Sequence, residues 1–177
     1  NAITYLKTGT AEQAVLGKKG DDVRIDWGYF YLAAGNDRQA SMKLGEYHTV
    51  KSEFNESGAL SATNGNVSQN MQEEMPVLAY SRNLGKVDAS SSNGYLMVGY
   101  DDLYSIQYFN ENLMPYWKRN GKVDIYQAFE KAAGNYVSVM RRCGDFDKQL
   151  MEQATKDGGE SYAELCALSY RQAIAAH

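Results

Sequence analysis

The sequence is poor in the residues that build metal centres, disulfide frameworks and rigid turns. Its 177 residues include only two cysteines, two histidines and two prolines. Cys143 and Cys166 form no C-x-x-C pair, and His48 and His177 fit no ligand spacing, so we expect no metal site. The cysteines fit two interpretations, a disulfide between two helices of an exported protein or small buried side chains.

Long apolar runs and excess positive charge are also missing. No run approaches the roughly 18 apolar residues that a transmembrane helix needs. The net charge of -4 gives no basic footprint for nucleic acid or an anionic membrane. We therefore expect neither as a partner, and no cofactor. A hydrophobic content of 44% and a charged content of 23% are ordinary for a soluble globular domain.

Residues 1–101 show the period-two pattern of strands. In DDVRIDWGYFYLAAG, Trp27, Tyr29 and Tyr31 share one face, and Phe30 and Leu32 lie on the other. This alternation predicts a strand that is covered on both sides. Further strands are predicted in QASMKLGEYHTV, in MPVLAYSRNLG and in YLMVGYDD.

From residue 102 onward the apolar spacing becomes helical. LYSIQYFNENLMPYWKRNG places Ile106, Phe109 and Leu113 on one stripe, which predicts a helix. Asp124 and Gln127 have the spacing of a capping box, so a second helix is expected to begin there.

Glycines and a second capping box divide the rest of the chain. Gly144 is expected to end the second helix, and a third helix follows it. Gly158-Gly159 separates the third helix from the last one, which Ser161 and Glu164 open as an S-x-x-E box.

The sequence thus predicts an α+β fold, with antiparallel strands in a β-rich part, 1–101, and antiparallel helical hairpins in a helical part, 102–177. The last helix is apolar nearly all round, and such a helix needs neighbours on every side. We therefore expect the chain to self-associate through residues 160–177.

The chain resembles the central domain of the glutaminase A family, exported proteins of bacteria and fungi. The motifs that carry the resemblance span roughly residues 15–177: DDVRIDWGYFYLAA, MPVLAYSRNLG, GYDDLYSIQYF, CGDFDKQL and GGESYAELCALSYRQAIAAH. The resemblance implies a β-rich domain before this segment and an (α/α) barrel-like domain of helical hairpins after it. The helical part would be the start of that domain, and the flanking domains of the same chain would be its partners.

The resemblance also implies a function, the hydrolysis of L-glutamine to L-glutamate and ammonia in a secreted or periplasmic protein. None of the motifs is a catalytic signature, and an isolated segment is expected to be inactive. An alternative is a segment of a carbohydrate-active or sugar-binding protein, because the (α/α) architecture is shared with glycoside hydrolases and aromatic residues suit sugar stacking.

Carboxylates are the catalytic candidates, since amide hydrolysis needs an activated water or nucleophile and a proton donor. Asp101 and Asp102 follow a predicted strand, where one of them can activate water. Alternatively, Asp102 caps a helix and Asp101 is a solvated turn residue. Glu160 is a third candidate by analogy with the inter-helix loops of (α/α) barrels, or a residue that stabilises the start of its helix.

A second set of candidates serves substrate binding. Asp26 either faces a cleft or pairs with Arg24 or Arg82. Arg171 can bind a substrate carboxylate bidentately or form a structural ion pair. The full set of substrate-binding candidates is Asp26, Trp27, Tyr104 and Arg171.

Overall fold

A computed structural model describes residues 3–18, 25–61, 75–89 and 94–175. The chain divides into two compact units, Asn1–Lys131 and Ala132–His177. The described strands are β1 (Ile3–Thr8), β2 (Tyr29–Gly35), β3 (Ala40–Glu46), β4 (Pro76–Arg82), β5 (Met97–Asp101), β6 (Ile106–Tyr108) and β7 (Glu111–Leu113). The described helices are α1 (Tyr47–Ser57), α2 (Ile125–Gly158) and α3 (Glu160–Ala175), with a 3-10 turn at Tyr116–Lys118.

All strand pairs in the described part of the first unit are antiparallel. β2 lies between β1 and β5, while β3 pairs with β4 and β6 pairs with β7. The second unit contains most of α2 and all of α3. The predicted α+β class is therefore confirmed, with strands early in the chain and helices late. No described helix combines the length and apolar character needed to span a bilayer.

The core of the first unit forms where β2 meets the first turns of α2. Tyr31 and Ala33 of β2 pack with Ile125 and Phe129, and all four are buried. On the other face of β2, Leu32 and Ala34 are also buried but Phe30 is 39% exposed, so the predicted covering on both sides holds only for the part of the strand after Phe30. The strands predicted in MPVLAYSRNLG and YLMVGYDD are present as β4 and β5.

The strand predicted through DDVRIDWGYFYLAAG is shorter than its pattern, because β2 begins only at Tyr29. Residues 21–24 lie outside the described residues, and Asp26 and Trp27 precede the strand. Gly28 interrupts the extended backbone with a φ of 86°. Glycine adopts this left-handed conformation at little cost. The strand therefore starts only after Gly28, although the apolar residues alternate on both sides of it in the sequence.

The strand predicted through QASMKLGEYHTV ends early and gives way to a helix. β3 stops at Glu46, and α1 starts with the next residue. The Glu46 carboxylate accepts hydrogen bonds from the amides of His48 and Thr49, both at 2.8 Å. This side chain therefore caps a helix, a role that is usually filled by shorter polar residues.

The helix predicted from Ile106, Phe109 and Leu113 is wrong, because this segment is the β6–β7 hairpin. Phe109 and Asn110 have φ values of 45° and 65°. Positive φ at both central residues defines the two-residue turn that matches the twist of a hairpin. The turn separates residues that would stack along a helix, and it places Ile106 opposite Leu113 instead.

The helical part differs from the predicted pattern at two positions. α2 continues through Gly144, where a break was expected, because nothing lies near that glycine and its cost inside a helix is only about 1 kcal/mol. α3 begins at Glu160, so Ser161 lies inside its first turn rather than at the cap. The capping box of Asp124 and Gln127 is confirmed, with reciprocal bonds of 2.8 and 3.0 Å.

In the second unit, α2 and α3 form an antiparallel hairpin. The break at Gly158-Gly159 is confirmed, and Gly159 has a φ of 84°. Ala154 and Ala163 are buried on either side of this break. Further along, the rings of Phe146 and Tyr170 lie 5.0 Å apart. Phe146 and Tyr170 are similar numbers of residues away from the break along the sequence. This is expected when the second helix runs back along the first.

The contact between Gly99 and α2 gives a first test of this fold. A Cβ at Gly99 would lie 2.7 Å from Cζ of Phe129, a buried core ring. We expect Gly99→Ala to lower the free energy of unfolding by about 1–3 kcal/mol, because overpacking forces the ring to move. Urea unfolding measures the effect. Gly35→Ala is the control, since nothing lies near that glycine on the same sheet, and an equal loss in both variants would contradict the packing.

Glu53 gives a second test, which depends on pH. Its carboxylate accepts hydrogen bonds from Lys43 and from Ser61, and these lower its pKa from 4.5 to about 2. A lowered folded-state pKa stabilises the fold above pH 4.5, and this contribution is lost as the pH falls from 4.5 to about 2. Glu53→Gln should therefore be less stable than the parent near neutral pH and equal to it near the lower limit.

Urea unfolding at several pH values in this window measures the Glu53 contribution. Glu56→Gln is the matched control, because Glu56 is exposed on the same helix and accepts one bond from Ser52. A Glu53→Gln difference that stays constant across the window would rule out the carboxylate as its source.

Candidate functional site

Several of the residues predicted for function meet where β5 ends and the chain turns sharply. We call this region the Asp102 corner and define it as Trp27 together with Asp101–Ser105. It lies in the first unit, at the point where the start of β2 is paired with the end of β5. Tyr29 is the direct register partner of Asp101 in this pairing. Catalytic and binding groups are often presented by loops that a rigid sheet holds in place.

Asp101 is a buried structural carboxylate. Its exposed fraction is 8%, and its Oδ1 lies 2.6 Å from Nζ of Lys118, whose side chain is equally buried. The same oxygen accepts the amide of Leu103 at 2.9 Å. The interpretation of Asp101 as a solvated turn residue is therefore wrong. Since removal of one partner would leave a buried charge unpaired, Asp101 and Lys118 together hold the corner in place.

Asp102 has one oxygen bound and one oxygen without a partner. Its Oδ2 accepts the hydroxyl of Ser105 at 2.6 Å. Its Oδ1 is buried and has no hydrogen-bond partner among the described residues. Asp102 closes a turn and caps no helix, which corrects that alternative. A buried carboxylate oxygen with no partner is costly and therefore uncommon, and it marks a position that a ligand can complete.

The backbone of the corner is strained and tightly packed. Leu103 has a φ of 61°, in the left-handed region that a leucine rarely occupies. A Cβ at Gly28 would lie 2.4 Å from the carbonyl oxygen of Asp101, so only glycine fits between the two segments. The side-chain amide of Gln13 bonds both the N–H and the carbonyl of Gly28. Strained backbone persists only where its surroundings determine it, and such strain is concentrated at functional sites.

Trp27 and Tyr104, both predicted to bind substrate, contact each other. The indole Nε1 of Trp27 donates to the carbonyl of Tyr104 at 3.3 Å, and the indole is 3% exposed. The hydroxyl of Tyr100 donates to the carbonyl of Trp27. Burial and the nearby charges of Asp102 and Asp26 raise the pKa of Tyr100, so this phenol stays a donor. Trp27 therefore acts as packing that fixes the position of Tyr104.

Asp26 pairs with a residue that was not anticipated. Its carboxylate lies 2.8 Å from Nζ of Lys18, and both side chains are largely exposed. Arg82, one of its expected partners, instead bonds Asp37 at 2.7 Å. The other expected partner, Arg24, lies outside the described residues. An exposed pair of this kind contributes little to stability.

Glu160 and Arg171 belong to the second unit, whereas the corner is built from residues of the first unit. Glu160 is the first residue of α3 and is exposed. Arg171 borders a cavity of about 640 Å³ between α2 and α3. Among the described residues, no group of three or more His, Cys, Asp or Glu side chains is arranged to hold a metal ion.

Sequence reasoning missed the residues that hold Asp101 and Asp102 in place. Lys118 is 17 positions away from Asp101 in a segment that was predicted as helix, so no local pattern joins the two. Ser105 follows Asp102 at the i+3 position, and D-x-x-S was a readable turn signal. Gly28 inside an apolar strand pattern also signalled close backbone approach.

Comparisons with known proteins relate this chain to one curated enzyme. The protein named "Glutaminase A" from Aspergillus oryzae (strain ATCC 42149 / RIB 40) is 24% identical over 180 residues. The alignment covers 99% of this chain and 26% of that protein, so the chain spans about a quarter of its relative's length. This identity shows a distant relation to glutaminase A. No solved structure matches the chain.

A family profile also matches most of the sequence. Residues 1–153 match the family described as "Domain of unknown function (DUF5127)". The matched region includes β1 to β7, the whole Asp102 corner and most of α2. Because the match covers well over half of the sequence, the chain belongs to the DUF5127 domain family.

Proposed function

We propose that this chain is a segment of an exported glutaminase-type amidohydrolase and that the Asp102 corner contributes to its active site. The relation to glutaminase A supports the reaction class. The observation that carries the role of the corner is the buried, partnerless Oδ1 of Asp102. Hydrolysis of the side-chain amide of L-glutamine needs a base near the attacking water, and a carboxylate oxygen with a free lone pair can serve as one.

In the proposed mechanism, Oδ1 of Asp102 accepts a proton from water as the water oxygen attacks the amide carbon. The proton then passes from Asp102 to the amide nitrogen as the carbon–nitrogen bond breaks, so that ammonia leaves and glutamate is released. The hydroxyl of Ser105 holds Oδ2, which fixes the carboxylate plane and aims Oδ1. A positioned base of this kind contributes roughly 10²–10⁴-fold to the rate.

Asp101 and Lys118 have a supporting role in this proposal. Two adjacent carboxylates repel each other unless a nearby cation offsets their charge. The ammonium of Lys118 compensates the charge of Asp101 at 2.6 Å, so Asp102 stands beside a neutralised neighbour. Asp101 is a positioning residue, because its own Oδ1 is occupied by Lys118 and the amide of Leu103.

The remaining parts of the active site are proposed to come from flanking domains of a longer polypeptide. The chain spans 26% of glutaminase A, so most of that relative has no counterpart in these 177 residues. A secreted or periplasmic location belongs to the same proposal and rests on the family resemblance.

Substitution of Asp102 in the longer polypeptide tests the proposed base. Asp102→Asn keeps the size of the side chain and an acceptor for Ser105 but removes the base. We expect kcat for ammonia release from L-glutamine to fall by about 10²–10⁴-fold, with a smaller change in KM. Glu12→Gln, at an exposed carboxylate of the same unit, serves as the control and should keep parental activity. Parental kcat in a correctly folded Asp102→Asn protein would exclude Asp102 as the base.

The 177-residue chain itself gives a further test. We expect it to fold but to release no ammonia from L-glutamine, because the proposed cleft needs the flanking domains. Coupled detection of ammonia, with circular dichroism to confirm the fold, measures this. Turnover by the chain alone would show that the site is complete within it.

A further inference from the structure

The β6–β7 hairpin of the first unit has one apolar face and one polar face. Cross-strand partners share a face, and alternate residues of a strand point the same way. The register therefore places four side chains on the first face, namely Ile106, Tyr108, Glu111 and Leu113. The second face carries Gln107 and Asn112, whose side-chain amides are hydrogen-bonded at 3.1 Å. The polar face is thus satisfied within the hairpin, whereas the apolar face is not.

The described part of the chain leaves the apolar face uncovered. All six residues of the two strands are exposed, and the exposed fractions of Ile106 and Tyr108 are 54% and 60%. A two-stranded hairpin alone is marginally stable in water, and it becomes stable when its apolar face packs against another element. Exposed apolar surface of this kind marks a site of interaction.

The turn of the hairpin carries the most exposed large apolar side chain among the described residues. Phe109 is 84% exposed and has a φ of 45°. Turns of this kind favour Asn, Asp or Gly, because a bulky residue at positive φ is strained. The rings of Tyr108 and Phe109 pack edge to face with centroids 4.5 Å apart, so they extend the apolar surface to the tip. Insertion of Phe109 into an apolar pocket would offset both its exposure and its strain.

The hairpin starts directly at the Asp102 corner. The amide of Ser105 donates to the carbonyl of Leu113 at 2.9 Å, which continues the hairpin pairing into the corner. The hydroxyl of the same Ser105 holds Oδ2 of Asp102 at 2.6 Å. A surface that packs against the hairpin therefore lies beside the proposed base.

A longer polypeptide can supply the surface that the apolar face lacks. The chain aligns with only 26% of glutaminase A, so about three quarters of that relative lies outside the aligned segment. Glu111 lies on the apolar face and forms no ion pair with any described residue. The complementary surface is therefore an apolar pocket with a cation or an amide donor at its rim.

We propose that the apolar face of the β6–β7 hairpin, with Phe109 at its tip, docks into an apolar pocket of a flanking domain of the same polypeptide. Ile106, Tyr108 and Phe109 fill the pocket, and Glu111 faces the cation or donor at its rim. This docking rests on the part of the proposed function that places the chain within a longer polypeptide, but it does not require glutaminase activity.

Photo-crosslinking of the longer polypeptide tests which surface covers the hairpin. Phe109→p-benzoylphenylalanine puts a photoreactive ring at the tip. We expect an internal cross-link from position 109 to a residue outside 1–177, which keeps the monomer mass and is located by peptide mass spectrometry. Gln107→p-benzoylphenylalanine, on the polar face, is the matched control and should give much less of this product. A covalent dimer, cross-links confined to residues 1–177, no cross-link, or an equal yield from position 107 would overturn the proposal.

Hydroxyl-radical footprinting of the unsubstituted longer polypeptide measures the same contact. The oxidation rate of each residue is divided by its rate in the urea-unfolded protein, so that intrinsic reactivities cancel. Phe109 is more exposed than Phe54 of α1 in this chain, at 84% against 46%. Docking should reverse this order, so that Phe109 is oxidised more slowly than Phe54, and an unchanged order would contradict the docking. Both measurements are independent of turnover, so they remain valid even if Asp102→Asn retains parental kcat.

Discussion

The buried ion pair between Asp101 and Lys118 is the contact on which the first unit depends most. It joins the last residue of β5 to the 3-10 turn that precedes α2, two segments that no strand pairing connects. Both side chains are only 12% exposed, so the loss of either partner would leave a charge in a poorly solvated place. The same contact brings α2 toward β2, where Ile125 and Phe129 complete the core.

The geometry of the Asp102 corner depends on the Asp101–Lys118 ion pair and on the packing of Gly28. Because Asp101 is held by Lys118 and Gly28 touches its carbonyl, the chain must reverse direction within a few residues. Leu103 adopts a left-handed conformation in this turn, which costs of the order of 1 kcal/mol. The outcome is that Asp102 turns inward with one oxygen bound by Ser105 and one oxygen free. A solvated loop would have relaxed both the strain and the missing hydrogen bond.

The sequence predicted the fold well where local periodicity and tertiary packing agree. β4 and β5, the capping box at Asp124 and the break at Gly158-Gly159 all follow from patterns within a few residues. Prediction failed where a positive φ decides the structure. Ile106, Phe109 and Leu113 have helical spacing, yet two left-handed residues at the turn make a hairpin. In the candidate site, the strand end of Asp101 and Asp102 was readable, but Lys118 was not, because its contact exists only in the folded chain.

Each unit has groups without a partner among the described residues, but the groups differ in kind. They therefore differ in the ligand or surface that could satisfy them. In the first unit, the polar group without a partner is a single carboxylate oxygen in a tight turn, a feature that a small polar molecule can satisfy. In the second unit, it is an apolar groove with one charge on each helix, a surface too extended for one small polar ligand. The corner of the first unit therefore suits a small polar ligand, and the second unit suits contact with a larger apolar surface.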